Sequence, residues 1–115
     1  MCMSSISVDR KIYRIHAELC KTLANPTRLE ILNLLRDEEH SVNELTVLTG
    51  RAQATVSQHL AVLRQRGVVS TRKEGVNVYY KIAHPKMIQA CDMIRGVLFE
   101  QITEMEKLAK SEATA

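Results

Sequence analysis

The sequence predicts a mainly α-helical fold of about five helices with one small β-hairpin. Leucine, isoleucine and valine recur at spacings of three and four along most of the chain, which is the period of an amphipathic helix. Only residues 68–82 have an extended pattern, because β-branched residues there flank a Glu-Gly-Val-Asn turn. The 115 residues suffice for one domain, and a single Phe with no Trp leaves its core to aliphatic side chains.

The N-terminal part predicts a tail followed by two helices. Residues 1–7 are polar, and we expect a flexible tail there. A first helix is expected over residues 8–23, where apolar residues recur at helical spacing. A second helix is expected from Pro26 to about Arg36, because Asn25 is a favourable N-cap and proline is preferred at the first helical position.

Two further short helices follow in close succession. Ser41 and Glu44 have the spacing of a capping box and precede a helix expected over about 42–48. Gly50 ends that helix, and the next one is expected over about 52–65. Two short helices joined by a few residues that include glycine form a helix-turn-helix pattern.

A hairpin and a long helix complete the predicted fold. The hairpin, or wing, has two strands within 68–82, and it must pack on the helices because an isolated hairpin is only marginally stable. The long helix is expected over about 86–108, and residues 110–115 are polar and expected to fray. Together these elements predict a single winged helix-turn-helix domain over residues 8–109.

One side of the last helix is apolar along its whole length. Its apolar residues recur at steps of three and four, close to the pattern of a coiled-coil seam. A terminal helix with one long apolar stripe is most simply buried against a partner. The residues of this seam are Met87, Cys91, Ile94, Leu98, Ile102 and Met105.

Basic residues are concentrated between Arg51 and Lys81. This stretch carries six basic residues and one acidic residue, whereas the rest of the chain carries ten basic and twelve acidic residues. A local basic surface on a protein with a net charge of only +3 is typical of a nucleic-acid-binding face. A basic hairpin tip can lie along the minor groove. The predicted DNA contacts of the wing are Arg72, Lys73 and Asn77. The alternative is an ordinary solvated surface whose positive charge has no partner.

The fourth helix has the composition of a recognition helix. If Val56, Leu60 and Leu63 point inward, the opposite side turns outward, and from Ala52 to Leu63 only His59 can carry charge. Small and amide side chains suit the major groove, where Gln pairs with adenine and Thr or Ala contacts the thymine methyl group. The predicted DNA contacts here are Arg51, Gln53, Ala54, Thr55, Ser57, Gln58 and His59. The alternative is a surface helix with an ordinary polar face.

Three segments resemble the ArsR family of winged-helix repressors. They are residues 23–32 (LANPTRLEIL), Glu44-Leu45 together with residues 55–63 (TVSQHLAVL), and Gly67-Val68-Val69 together with Arg72, Gly75 and Tyr79-Tyr80. The resemblance implies a homodimer held by the first and last helices, which adds Ile12 and Leu19 to the predicted interface. It also implies binding to an inverted-repeat operator in double-stranded DNA, and release of that operator when an inducer binds.

The usual metal sites of this family are absent from the sequence. Members that sense arsenite or cadmium carry Cys-x-Cys directly after a Glu-Leu pair, and here those positions are Thr46 and Leu48. Members that sense zinc or nickel use Asp and His pairs on the last helix, which here offers Asp92 and no histidine. We therefore expect no bound metal and no cofactor, and the inducer is unknown.

The three cysteines leave three hypotheses open. Their odd number and wide spacing exclude a disulfide scaffold or a zinc finger. If Cys20 and Cys91 are neighbours, a disulfide or polysulfide bridge between them would change the separation of the two recognition helices and act as a switch. The alternatives are simple packing of buried thiols and a non-standard soft-metal or metalloid site that includes His16. Cys2 lies in the tail and has no assigned role.

Other classes of protein are less compatible with the sequence. There is no nucleophile elbow, no glycine-rich phosphate loop and no metal dyad, so we do not expect an enzyme. A winged-helix protein-interaction module that has lost specific DNA binding is the principal rival. No apolar run is long enough for a membrane span and no secretory signal is evident, so a cytoplasmic location is expected.

Overall fold

The structure, a computed structural model, describes residues 9–114. Its elements in chain order are α1 (Arg10–Leu23), α2 (Pro26–Leu34), β1 (His40–Ser41), α3 (Val42–Thr49), α4 (Gln53–Gln65), β2 (Val69–Glu74), β3 (Asn77–Ile82) and α5 (Pro85–Thr114). Five helices and an antiparallel hairpin confirm the predicted winged helix-turn-helix fold. The flexible tail predicted for residues 1–7, and Cys2 within it, lie outside the described residues.

Local hydrogen bonds explain where the first helices begin. The side chain of Asn25 accepts a hydrogen bond from the backbone N–H of Arg28 at 3.1 Å, with Pro26 in the first turn of α2. Ser41 Oγ accepts from the N–H of Glu44 at 3.2 Å, and Glu44 Oε1 accepts from the N–H of Ser41 at 3.3 Å. Both caps predicted from sequence are therefore confirmed, and each contributes about 1 kcal/mol to helix stability.

A left-handed glycine separates the two helices of the helix-turn-helix. Gly50 ends α3 with φ of +68°, a conformation that L side chains rarely adopt. Its N–H donates to the carbonyl oxygen of Thr46 at 3.0 Å, which satisfies one of the last carbonyls of α3. Because only residues 50–52 connect α3 to α4, this turn sets the direction in which α4 leaves.

The sheet has three strands, where the sequence predicts two. The hairpin of β2 and β3 pairs Val69 with Ile82 at one end and Glu74 with Asn77 at the other. The third strand, β1, pairs antiparallel with β3 and places His40 opposite Tyr80. A strand of two residues is too short to show an alternating pattern, so periodicity does not detect it.

Aliphatic side chains from α2, α3, α4 and the start of the wing form the core. Val56, Leu60 and Leu63 of α4 are each 0% exposed, which confirms that this side of the helix points inward. The other large, fully buried side chains are Ile31, Leu32, Leu35, Leu45 and Val68. The N–H of Val68 donates to the carbonyl oxygen of Leu63 at 2.9 Å, so the start of the wing is tied to the last buried residue of α4.

The described residues form two compact units, one ending at His84 and the other consisting of α5. The second unit is a single helix of 30 residues, which satisfies its backbone hydrogen bonds internally. The single domain over residues 8–109 stays a prediction. Residues 110–114, which the sequence predicts to fray, form the last turn of α5, and Thr114 is the last helical residue. That segment contains Ala, Lys and Glu and neither Gly nor Pro, so no residue ends the helix earlier. Among the described residues, no helix has the length and apolar character that crossing a membrane requires.

Candidate nucleic-acid interface

The N-terminal half of α4 presents a solvent-exposed, uncharged surface. Gln53, Ala54, Ser57 and Gln58 are exposed, and Thr55 is half-buried beside them. Ala54 and Gln58 lie on the side opposite the buried residues, whereas Gln53 and Ser57 lie between the two sides. We call the four exposed residues the α4 face. Because these side chains are short or end in amides, a partner can approach the helix closely and still find hydrogen-bond donors and acceptors.

The first turn of α4 has no side-chain cap. Ala52 stands at the N-cap position, and no side chain there accepts a hydrogen bond from the first turn. The first intrahelical bond is the one from the N–H of Val56 to the carbonyl oxygen of Ala52, at 3.1 Å. The preceding N–H groups of the turn are therefore available to an external acceptor, and the helix dipole favours an anion at this end.

Arg51 lies directly before this open turn, where the sequence predicts a phosphate contact. Its Nη2 is 3.3 Å from Oε2 of Glu30, and both side chains are about equally exposed, at 43% each. An exposed ion pair of this kind is worth little, so the guanidinium can exchange Glu30 for another anion at small cost.

His59, a predicted DNA contact, has a hydrogen-bond partner within the protein. Its ring is half-buried on the flank of α4, and Nδ1 accepts a hydrogen bond from Nε of Arg28 at 3.2 Å. Arg28 also donates from Nη1 to the carbonyl oxygen of Thr22 at 3.0 Å. His59 therefore fastens α4 to α2 and α1, and this role had no signal in the sequence beyond the presence of Arg28 after the N-cap of α2.

Loss of solvation lowers the pKa of His59, and the positive charges of Arg28 and Arg51 lower it further. The folded protein thus favours the neutral ring, while the unfolded chain takes up a proton as pH falls through about 6.5. Because the unfolded state binds more protons in this range, the free energy of unfolding should decrease as pH falls below that value.

This linkage predicts that His59→Gln flattens the dependence of stability on pH between 7.5 and 5.5. Urea midpoints of both proteins at the two pH values measure it. The wild type should lose more stability than the variant, since glutamine keeps an acceptor for Arg28 and does not titrate. Equal losses would show that His59 is not protonated on unfolding in this range.

The wing residue Arg72 is held by partners within the protein. Its Nε donates to Glu39 Oε1 at 3.1 Å, Nη1 donates to Glu74 Oε2 at 2.8 Å, and the guanidinium lies 4.9 Å from the centre of the Tyr79 ring. These hydrogen bonds lower the pKa of the Glu39 carboxyl and raise that of Arg72. Arg72 therefore ties the wing to the loop before β1, a role that the sequence does not predict.

The tip of the wing leaves three neighbouring side chains exposed. Lys73 and Asn77, both predicted DNA contacts, are exposed on the two strands. Between them Gly75 adopts φ of +61°, and Val76 is 97% exposed. Because Arg72 is bound to carboxylates of the protein, Lys73 provides the available positive charge nearest to the turn. It lies beside the exposed apolar side chain of Val76.

The predicted dimer residues differ in their exposure. Ile12, Leu19 and Met87 are half-buried and Cys91 is buried, whereas Ile94, Leu98, Ile102 and Met105 are exposed. On α1, Tyr13 and Ile15 are exposed as well. Both helices therefore present large apolar side chains to solvent, as expected of surfaces that a partner covers.

The two cysteines of the described chain are free thiols in different surroundings. Cys20 is exposed on α1, and Cys91 is buried on α5. Within residues 9–114, no group of three or more His, Cys, Asp or Glu side chains is arranged to hold a metal ion. His40 comes nearest to such a group, with Nδ1 at 3.0 Å from Glu44 Oε2 and Nε2 at 3.5 Å from Glu38 Oε1.

Comparison with known proteins identifies the family of this chain. Residues 25–71 match the family model described as "Bacterial regulatory protein, arsR family". The chain is 38% identical to an uncharacterized HTH-type transcriptional regulator of Mycobacterium tuberculosis over 81% of this chain and 82% of that protein. It is also 38% identical to a biofilm growth-associated repressor of Agrobacterium fabrum, over 70% of this chain and 69% of the repressor.

A solved structure shows the same architecture. The homodimeric winged helix-turn-helix DNA-binding domain of a possible ArsR-family regulator from Mycobacterium bovis superposes with a TM-score of 0.73 at 34% identity. The match covers 82% of this chain and 89% of that domain. The segment that matches the family model, residues 25–71, contains α2, α3, α4 and the first residues of the wing.

Proposed function

This chain belongs to the ArsR family of bacterial regulatory proteins and is a winged helix-turn-helix regulator of transcription, and from that premise we propose that it is a homodimeric repressor. It binds an inverted-repeat operator in double-stranded DNA and leaves it when an inducer binds. The observation that carries this proposal is the α4 face, which is exposed, uncharged and continuous with an uncapped helix N-terminus. We also propose that the protein is cytoplasmic, because its operator DNA lies in the cytoplasm.

The α4 face supports sequence-specific contact with the major groove. The groove accepts an α-helix, and each base pair presents there a distinct pattern of donors and acceptors. Gln58 is exposed at the C-terminal end of the face, and its amide matches the donor and acceptor of adenine. Arg51 and the free N–H groups of the first turn lie at one end, where the phosphate backbone borders the groove.

Dimerisation follows from the exposed apolar surfaces and from the relatives. The repressor of Agrobacterium fabrum and the homodimeric domain of Mycobacterium bovis are similar to this chain over most of its length. A two-fold dimer presents two α4 helices to DNA about one helical turn apart, and this geometry requires an inverted repeat.

The proposal predicts steep salt dependence and a specific role for Gln58. Gln58→Ala should weaken binding to the DNA upstream of the protein's own gene by about 1–3 kcal/mol for each half-site and relax the base preference at one position in each half-site. Wild-type affinity should fall by orders of magnitude between low and moderate salt, since several phosphate contacts release counterions. Fluorescence anisotropy with duplexes that carry single base changes, at four salt concentrations, measures both effects.

A matched control is Gln89→Ala, which removes the same amide from an exposed position on α5, on the side away from the seam. It should leave affinity and base preference unchanged. An unaltered base preference in Gln58→Ala would remove Gln58 from the residues that read bases. A shallow salt slope in the wild type would instead favour the rival, a winged-helix module that binds protein.

A second proposal concerns the inducer: we propose that it acts by thiol chemistry at Cys20 and Cys91. The exposed thiol of Cys20 is accessible to an oxidant or a polysulfide, and neither cysteine is in a disulfide. When the two thiols form a disulfide, they give up two protons and two electrons. A polysulfide accepts them: one of its S–S bonds breaks and its two sulfur ends leave as thiols. The alternative inducer is a soft metal or metalloid bound at a non-standard site that includes His16. Within residues 9–114 of one chain, no three His, Cys, Asp or Glu side chains are arranged to hold a metal ion.

Intact mass and DNA affinity of the same samples test the thiol proposal. Treatment with an organic polysulfide should lower affinity reversibly and produce a species that links Cys20 and Cys91. Cys20→Ser should abolish both effects while binding DNA normally before treatment. Unchanged affinity after complete modification would make both cysteines packing residues.

A further inference from the structure

A small cavity lies beside α4, on the flank next to the α4 face. It has a volume of about 160 Å³ and lies among residues of α1, α2 and α4. Its lining residues are Glu18, Lys21, Thr22, Arg28, Val62 and Arg66. We call it the α1–α4 pocket. Three of its six side chains are cationic and one is anionic, so the pocket favours an anion.

Arg28 is held rigidly in the wall of this pocket. Its backbone N–H, Nε and Nη1 donate to Asn25, His59 and Thr22 respectively, at 3.1, 3.2 and 3.0 Å. Side-chain bonds use two of the five N–H groups of the guanidinium, which leaves three donors in a fixed orientation. A donor that is already oriented loses little conformational entropy when it binds an oxyanion.

Arg66 and Lys21 provide mobile charges at the rim. Nη2 of Arg66 is 3.8 Å from Oε2 of Glu18, too far for a hydrogen bond, and the two side chains are about half exposed. Such a pair contributes little to stability, so Arg66 can turn toward a stronger anion. Lys21 is exposed in the last turn of α1.

The pocket lies on a row of α4 residues that begins in the α4 face. Gln58, Val62 and Arg66 are spaced four residues apart, and residues at this spacing are neighbours along a helix surface. Eight residues advance about 12 Å along a helix. At about 100° per residue, Arg66 is also turned about 80° from Gln58, so it lies on the flank of α4. When Gln58 contacts a base edge from within the groove, the flank of the helix is the side that faces the phosphates bordering the groove.

We propose that the α1–α4 pocket is a binding site for a phosphate group, supplied by the DNA backbone next to the bases that α4 contacts. The inference rests on the proposed function. It adds a contact with the DNA backbone that lies outside the first turn of α4 and outside the wing. Phosphate contacts of this kind set the position of a protein on DNA without reading sequence. A free phosphate-bearing molecule has the same chemistry, and the experiment separates the two sources.

The test compares Arg66→Gln with Lys107→Gln, which removes one exposed positive charge from α5. Arg66→Gln should weaken binding of the dimer about 60-fold at 0.1 M monovalent salt, because the two subunits together lose two phosphate contacts and each lost contact reduces the salt slope by about 0.9. The loss should be equal for preferred and non-preferred duplexes. Lys107→Gln should leave affinity and slope unchanged, and urea midpoints should show that both variants fold as the wild type does.

A second arm adds inorganic phosphate to the DNA-free protein, with the amide NMR signals of Lys21, Thr22 and Arg66 as the readout. A reduced salt slope in Arg66→Gln assigns the pocket to the DNA backbone. If phosphate shifts those signals saturably, and Arg66→Gln abolishes the shifts while DNA binding stays normal, the pocket is assigned to a free phosphate-bearing ligand. If neither effect is observed, the inference is overturned. Since the wild type's base preference is measured separately, failure of the pocket and failure of the proposed function are distinguishable.

Discussion

Leu98→Asp is expected to convert the protein into a monomer that no longer binds its operator specifically. Leu98 is 49% exposed on α5, in the middle of the seam, with Ile94 and Ile102 exposed on the same side. In the proposed two-fold dimer each subunit buries this residue, so the substitution places two unpaired carboxylates in an apolar interface. Burying an ion without a partner costs several kcal/mol even after the structure relaxes.

The expected change in dimer affinity is large. With two carboxylates buried, the dissociation constant of the dimer should rise at least about 100-fold, since about 1.4 kcal/mol corresponds to a factor of ten. A monomer contacts one half-site only, so the affinity gained from the second half-site is lost. Sedimentation velocity across a range of protein concentrations measures the mass, and anisotropy measures DNA binding.

Gln89→Asp is the matched control for this substitution. It introduces the same charge on the same helix, at an exposed position on the side of α5 that faces away from the seam. The control should remain dimeric and bind DNA as the wild type does. A Leu98→Asp protein that still sediments as a dimer would place the dimer interface elsewhere than the seam.

Leu60→Ala is expected to destabilise the protein by about 2–5 kcal/mol, the range for large-to-small substitutions in a packed core. Leu60 is 0% exposed and lies between Val56 and Leu63 on the buried side of α4. Its removal leaves a cavity under the helix that carries the α4 face. Urea unfolding should therefore show a lower midpoint with an unchanged slope.

Leu48→Ala is the comparison for Leu60→Ala, since it removes the same atoms from α3 at a position that is 51% exposed. A surface substitution of this kind should change stability by no more than about 0.5 kcal/mol. Similar losses in the two variants would contradict the packing of α4 described above. Measuring DNA affinity well below the unfolding midpoint separates lost stability from lost contacts.

Features that depend on neighbouring residues in the chain were predictable. Asn25-Pro26 and Ser41 with Glu44 begin α2 and α3 through bonds that span three residues or fewer, so the motif contains the whole interaction. The buried side of α4 follows from a period of 3.6 residues in the same way. The family resemblance depended on these same local patterns, and the family match of residues 25–71 confirms it.

Features that depend on distant partners were not predictable. His59 and Arg72 carry charge or hydrogen-bonding groups that suit DNA, and the sequence alone assigned them to it. In the folded chain Arg28 lies 31 positions before His59, and Glu39 lies 33 positions before Arg72. Each pair forms only because the helices and the sheet bring the two side chains together.

By itself the sequence determined the family, the order of the helices, the wing and the side of α4 that is buried, because caps, turns and hydrophobic periodicity act over a few residues. Tertiary structure alone decided that His59 braces α4, that Arg72 anchors the wing and that β1 adds a third strand. It also decided that Lys21, Arg28 and Arg66 share one pocket. The physical reason is that a polar side chain takes whichever partner folding brings within bonding distance, and local sequence does not specify that partner.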